Sequence, residues 1–173
     1  REIGAWRDGT AGAVALDTSN RGLRVLLTSR AGVYQSQQPI AEFEPNSKGF
    51  SDLHVVAVAF AGGSKQSPAL SFAATATGRL FRHSGAEGEG WQEITSWAGL
   101  GIALVLAPSP NFDEDRTLFV GTPAGIYRTQ DDGQSWESCN FGLLDEEVLC
   151  LLCAPDYAQS EVLWAGTAGG GLY

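Results

Sequence analysis

Thr129-Gln130-Asp131-Asp132-Gly133-Gln134-Ser135-Trp136 decides how this chain is read. It follows Gly125-Ile126-Tyr127-Arg128, a run with strand character. The stretch has the make-up of a hairpin tip. Asp131 can accept hydrogen bonds from the backbone N–H groups of the turn ahead of it. Gly133 can take the positive φ that the return requires. Trp136 opens the next strand and offers a large ring to bury between neighbouring units. The expected work of Thr129, Asp131, Gly133, Ser135 and Trp136 is therefore turn geometry, and neither Asp131 nor Asp132 is expected to be catalytic.

Outward from this turn the chain repeats. A Gly-apolar-aromatic signal ends at Tyr34, Phe81, Tyr127 and Tyr173, at intervals of 46 or 47 residues. A period in the mid-forties with several short strands per unit is what a β-propeller blade needs. The first strand of each unit is apolar and is predicted over 13–17, 55–60, 102–107 and 148–153. Such near-continuous apolar runs suit strands buried between blades near the ring axis. Second strands are predicted over 24–29, 71–77, 117–122 and 162–167. Third strands carry the aromatic signal, and fourth strands begin near Phe43, Trp91 and Trp136. In the last two units the loops between the first two strands are alike: Ala107-Pro108-Ser109-Pro110-Asn111-Phe112 matches Ala154-Pro155-Asp156-Tyr157.

The spacing of hydroxyl residue, Asp, Gly, Ser and Trp over 129–136 resembles the Asp-box of the bacterial neuraminidase repeat families. These include sortilin-like ectodomains, the photosystem II assembly factor group, sialidases and xyloglucan-degrading glycosidases. The full motif occurs once. The second unit keeps Arg82-His83-Ser84-Gly85 and Gly88-Glu89-Gly90-Trp91 without the Asp, and the first keeps Gln35-Ser36-Gln37-Gln38-Pro39. The resemblance implies an all-β fold, a β-propeller of four-stranded antiparallel blades, and specifies no activity.

The expected organisation is one propeller domain or propeller fragment over 1–173, with blades at about 13–44, 55–95, 102–139 and 148–173. Residues 2–8 read as a fourth strand that could complete the last blade, a closure that removes a raw sheet edge. Two assemblies fit these four blades: a closed four-blade ring, or half of a larger ring completed by a longer polypeptide or by a second copy. The chain begins at Arg1 and has no Met, which reads as a processed or excised piece.

Composition is globular, with 43% hydrophobic and 18% charged residues among 173. The net charge of −9 disfavours nucleic acid and anionic lipid. No run of about 18 apolar residues is present, so no membrane span is expected. Three cysteines, an odd number, do not make a complete disulfide framework. Cys150 and Cys153 lie three apart in a strand and face opposite sides, which is poor geometry for a shared metal; they read as buried small hydrophobes. No metal or cofactor is expected.

No residue pattern in the chain matches a catalytic constellation. A sialidase-like site would need an arginine cluster with a Tyr–Glu pair and an acid Asp. Arg24, Arg30, Arg79, Arg82, Arg116 and Arg128 match no such signature. Glycosidases need two carboxylates across a cleft. Asp113-Glu114-Asp115 and Asp145-Glu146-Glu147 supply carboxylates in loops, where solvated charge is the default. Two functions are left. One is a non-catalytic scaffold that binds a protein partner, or its own copy, through blade-end loops, with Asp113, Glu114 and Asp115 as the candidate interaction loop. The other is a carbohydrate-binding or sialidase-like propeller, for which Trp97 and Trp6 are sugar-stacking candidates that read equally as core.

Overall fold

The computed structural model describes residues 10–18, 23–36, 42–63, 69–86 and 88–173. Among these the chain forms four antiparallel sheets in strict sequence order. The first sheet is β1 (Val14–Asp17), β2 (Arg24–Ser29), β3 (Gly32–Ser36) and β4 (Glu44–Pro45). The second is β5 (Val55–Ala61), β6 (Leu70–Thr75), β7 (Leu80–His83) and β8 (Gln92–Glu93). The third is β9 (Val105–Pro108), β10 (Leu118–Thr122), β11 (Gly125–Thr129) and β12 (Glu137–Ser138). The last is β13 (Val148–Cys153), β14 (Leu163–Thr167) and β15 (Gly171–Leu172).

Each sheet is an up-and-down meander, and the first strands of successive sheets pack side by side. This is the arrangement of four β-propeller blades. The expected strand at residues 2–8 lies outside the described residues, so its pairing with the last blade is not seen. The expected 102–107 strand starts later, at Val105, because Ile102-Ala103-Leu104 forms the approach to the blade.

The repeat extends to the register. Val14, Val58, Leu106 and Leu151 pair with Leu27, Ala73, Val120 and Ala165, so these four inner-strand positions are equivalent. The next residue along each inner strand pairs with Leu26, Phe72, Phe119 and Trp164. Because strand side chains alternate between faces, the first set points at the preceding blade and the second at the following one. The core is accordingly split into three clusters, one per junction. The first holds Leu26 with Val58 and Phe81, the second Phe72 with Leu106 and Phe112, the third Phe119 with Tyr157 and Ala165. Aromatic rings cross these junctions edge-on, Phe72 with Phe112 at 5.6 Å and Phe119 with Tyr157 at 5.6 Å.

The two similar loops each contain a single helical turn, α1 (Phe112–Asp115) and α2 (Tyr157–Ser160). Each ends in a left-handed residue that is not glycine, Arg116 at φ 53° and Glu161 at φ 52°. Phe112 and Tyr157 drop from these turns into the junction clusters, which is why the loops share their sequence pattern.

Candidate functional site

Two loop systems share one edge of the blades, because in a meander the first-to-second and third-to-fourth connections lie at the same strand ends. One is the 129–136 turn. Asp131 is its hub: Oδ1 accepts from Gln134 N and Ser135 N, both at 2.9 Å, and from the Thr129 hydroxyl at 2.7 Å. Oδ2 accepts from the Ser135 hydroxyl at 2.6 Å. These donors, the Ser135 hydroxyl foremost, hold the Asp131 carboxyl at about 2. The Thr129 hydroxyl also accepts from Gly133 N at 2.9 Å, across a turn in which Asp132 and Gly133 have φ of 60° and 84°. Trp136 is half-buried against Trp97 of the second blade, with ring centroids 4.8 Å apart, and its indole N–H donates to Ser96 Oγ at 3.2 Å. The turn thus locks the third blade to the second. Every donor of Asp131 is internal to the turn.

The equivalent position in the second blade is His83, two residues after Phe81 as Thr129 is two after Tyr127. Its Nδ1 accepts from Gly85 N at 2.8 Å, and its ring lies 5.4 Å from Trp91. Burial lowers the His83 pKa. A neutral imidazole therefore nucleates the turn of a blade without the motif Asp, a substitution hidden in sequence because His is no usual turn residue.

The second loop system surrounds α1. Ser109 donates to Asp115 Oδ2 at 2.5 Å, Thr117 N donates to Asp115 Oδ1 at 2.8 Å, and Asn111 Nδ2 donates to Glu114 Oε2 at 3.0 Å. Asp113 reaches across to the second blade, where its Oδ2 accepts from Gly63 N at 2.9 Å. The three acids predicted as one interaction loop are thus divided. Asp115 is an internal fastener, Asp113 bridges two blades, and Glu114 stands exposed. Around Asp113 lies an open depression of about 330 Å³. Its wall is drawn from three blades: Leu16 and Asp17 of the first, Gly63 of the second, Ser109 and Asn111 of the third. Asp17 is buried and accepts from Arg24 Nε at 2.9 Å, and the Arg24 guanidinium sits 5.0 Å over the Phe60 ring. Asp17 and Gly63 are contributors that sequence reasoning missed, since a strand-end Asp and a loop Gly carry no motif.

The opposite edge holds a second Asp device. Asp145 accepts from Gly169 N at 2.5 Å and Gly170 N at 2.9 Å, fastening the 167–171 turn, and these backbone donors lower its pKa. Asp52 does the same for its own blade with His54 N and the Thr77 hydroxyl. Asp145 therefore works as a clasp and is not merely loop charge. Three of the arginines are paired locally: Arg79 with Glu93, Arg116 with Asp132 and Arg128 with Glu137, each within the second or third blade. Trp97 is 1% exposed, with Tyr127 and Trp136 against its ring, so it offers no sugar platform. Trp6 lies outside the described residues. Cys153 is buried, its thiol pushed up to about 12 by burial, but Cys150 is exposed, contrary to its reading as a buried hydrophobe. The reason is that β13 has no blade on its second face among the described residues. No described group of three or more His, Cys, Asp or Glu could hold a metal ion, and no described helix is long and apolar enough to cross a membrane.

No protein-family model matches the chain, and no curated protein matches it. Solved structures do. YCF48 bound to D1 peptide aligns with TM-score 0.62 at 15% identity, over 92% of this chain and 48% of that one. An ancestral GH74 enzyme aligns with TM-score 0.64 at 16% identity, over 94% of this chain and 25% of that one. In a nidogen/laminin complex the matched chain gives TM-score 0.57 at 15% identity, over 83% of this chain and 52% of that one. This chain therefore spans about half, or less, of each. Such identities establish the propeller fold alone.

Proposed function

We propose that this chain is a non-catalytic, protein-binding propeller module of the Asp-box repeat kind. It holds an extended partner segment across the edge where the first-to-second loops of three blades meet. The observation that carries the reading is the depression around Asp113. Its wall comes from three blades, and its polar groups are already fixed by Ser109–Asp115, Asp113–Gly63 and Asp17–Arg24 hydrogen bonds. A preorganised polar rim loses little freedom on binding. Asp113, the Asn111 amide and the exposed Glu114 favour a segment rich in N–H donors, with Lys or Arg among its side chains. A propeller of the same fold bound to a peptide, and another in complex with laminin, give the reading its precedent. The glycan-directed alternative keeps the likeness to a GH74 enzyme but has lost Trp97 as a stacking surface.

The test is a displayed peptide library panned against the chain. Basic extended peptides should be enriched, and their affinity should fall roughly tenfold in Asp113→Asn and in Asn111→Ala, the loss of one charge-assisted contact. Asp113→Asn keeps an acceptor for Gly63 N, so far-UV circular dichroism and the melting temperature should not change. Peptides that bind both variants as they bind the parent would move the site elsewhere. A glycan array with signal above background, and no peptide enrichment, would replace this reading with the carbohydrate one.

A further inference from the structure

The pairing of third and fourth strands repeats from blade to blade. The residue after the aromatic signal stands opposite the fourth strand: Gln35 opposite Glu44, Arg82 opposite Gln92, Arg128 opposite Glu137. In the third blade this is an ion pair, with Arg128 Nε donating to Glu137 Oε1 at 2.7 Å. In the first blade Gln35 is neutral and accepts from Asn46 Nδ2 at 2.9 Å. The second blade has the arginine without the acid. Among the described residues the Arg82 guanidinium makes no ion pair and no hydrogen bond. The carboxylates around it are engaged elsewhere. Glu93 pairs with Arg79 at 3.2 Å, and Asp132 pairs with Arg116 at 3.7 Å, its Oδ1 buried.

Arg82 is half-buried and lines a cleft of about 270 Å³ between the outer strands of the second blade and the 129–136 turn of the third. Gln92, Thr95, Ser96, Asp132 and Gln134 line it as well. Its walls are fixed without help from Arg82. The Ser96 hydroxyl donates to Gly133 O, the Trp136 indole N–H donates to Ser96 Oγ at 3.2 Å, and Gly133 packs against Ile94. We propose that this cleft binds a carboxylate group of a ligand, with Arg82 as its counter-ion. A guanidinium fork matches a carboxylate with two parallel N–H···O bonds, and the Gln92 amide brings a further donor to the same cleft. A phosphate dianion fits less well, because Glu93 and Asp132 border the cleft and repel the second charge. The two blades that form the site are both complete four-stranded sheets. The proposal is independent of the loop-edge reading, since no residue of this cleft lines the depression around Asp113.

The test is a heteronuclear NMR titration of the full chain with acetate, glycolate and N-acetylglycine, and with inorganic phosphate for comparison. The Arg82 Nε–H and Gln92 side-chain amide signals should shift with each carboxylate, with a Kd on the order of 1 mM, as suits one bidentate contact. Tighter binding of N-acetylglycine would identify a peptide carboxyl terminus as the source of the group, and tighter binding of glycolate a free hydroxy acid; either supports the site. Arg82→Lys should weaken binding about tenfold, because a point charge loses the fork. Gln92→Glu gives the second blade the ion pair that the third already has. It should abolish the shifts while Arg82 stays in place and the melting temperature does not fall. Absence of any shift at Arg82 would overturn the proposal. Binding that survives Gln92→Glu would overturn it too, and so would phosphate that binds as tightly as the carboxylates.

Discussion

At the scale of single residues, carboxylates and one imidazole set the turns, and their protonation makes the turns sensitive to pH. Asp131 is held at about 2 against an ordinary 3.8. A group whose pKa is depressed on folding contributes stability that is present above its unfolded value and is lost as pH falls through its folded value. Urea unfolding should therefore show Asp131→Ala to be less stable than the parent by roughly 1–2 kcal/mol at pH 7, the range for losing a capping carboxylate. The gap should close between pH 4 and pH 2. A gap that persists at pH 2 would mean that Asp131 acts by shape and not by charge. His83 differs in sign of charge but not in direction. Burial depresses its pKa below 6.5, so its share of stability is full above that value and declines as pH falls below it. His83→Gln, which can still accept from Gly85 N, should flatten the stability profile between pH 6.5 and 5. An unchanged slope in that window would show that another group titrates there.

Among elements, Trp97 and Trp136 are in contact but not equal. Trp97 is 1% exposed and fills the space between the second and third blades, whereas Trp136 leans on it half-buried. Trp97→Ala should cost about 3–5 kcal/mol, and Trp136→Ala clearly less. The reverse order, measured by urea midpoints, would place the junction's centre at the 129–136 turn. The same contrast shows what could be read from the chain alone. The interval between Tyr34, Phe81, Tyr127 and Tyr173 marked every third strand, because the aromatic packs once per blade and composition cannot hide it. Residue types around Asp131 revealed the turn for the same local reason. The helical turns α1 and α2 were not visible, since four residues give no periodicity. The blade junction at Trp97 was visible only as an aromatic with two possible roles. Which face a strand buries depends on the neighbouring blade, and a local pattern holds no record of it. That is why Cys150 read as buried and is exposed. The α2 turn also carries removable strain. Glu161 sits at φ 52°, where a Cβ is disfavoured, and its position just past a helical turn is one that glycine usually takes. Glu161→Gly should raise stability by about 1 kcal/mol, and a loss instead would show that its side chain has a structural partner.

For the whole molecule, the linear order of blades dictates how the fold should come apart. Each sheet packs on its sequence neighbours, as repeats in a stacked array do, so stability is a sum of blade terms and junction terms. The second and third blades each have two covered faces, and the described face of the fourth is covered on one side. Local opening should therefore begin at the two outer blades, the first and the fourth, before the second and third. Native-state hydrogen exchange on a dilute sample should find the amides of β14 (Leu163–Thr167) protected less than those of β6 (Leu70–Thr75) and β10 (Leu118–Thr122). The comparison is confined to Ala165, Gly166 and Thr167, which are bonded on both sides as β10 is, because β15 does not reach Leu163 and Trp164. Over those residues a difference measures what covering the second face of a blade is worth. Equal protection at β6, β10 and β14 in the most dilute sample would mean that the fourth blade gains nothing from being covered, and the additive account of the fold would fail.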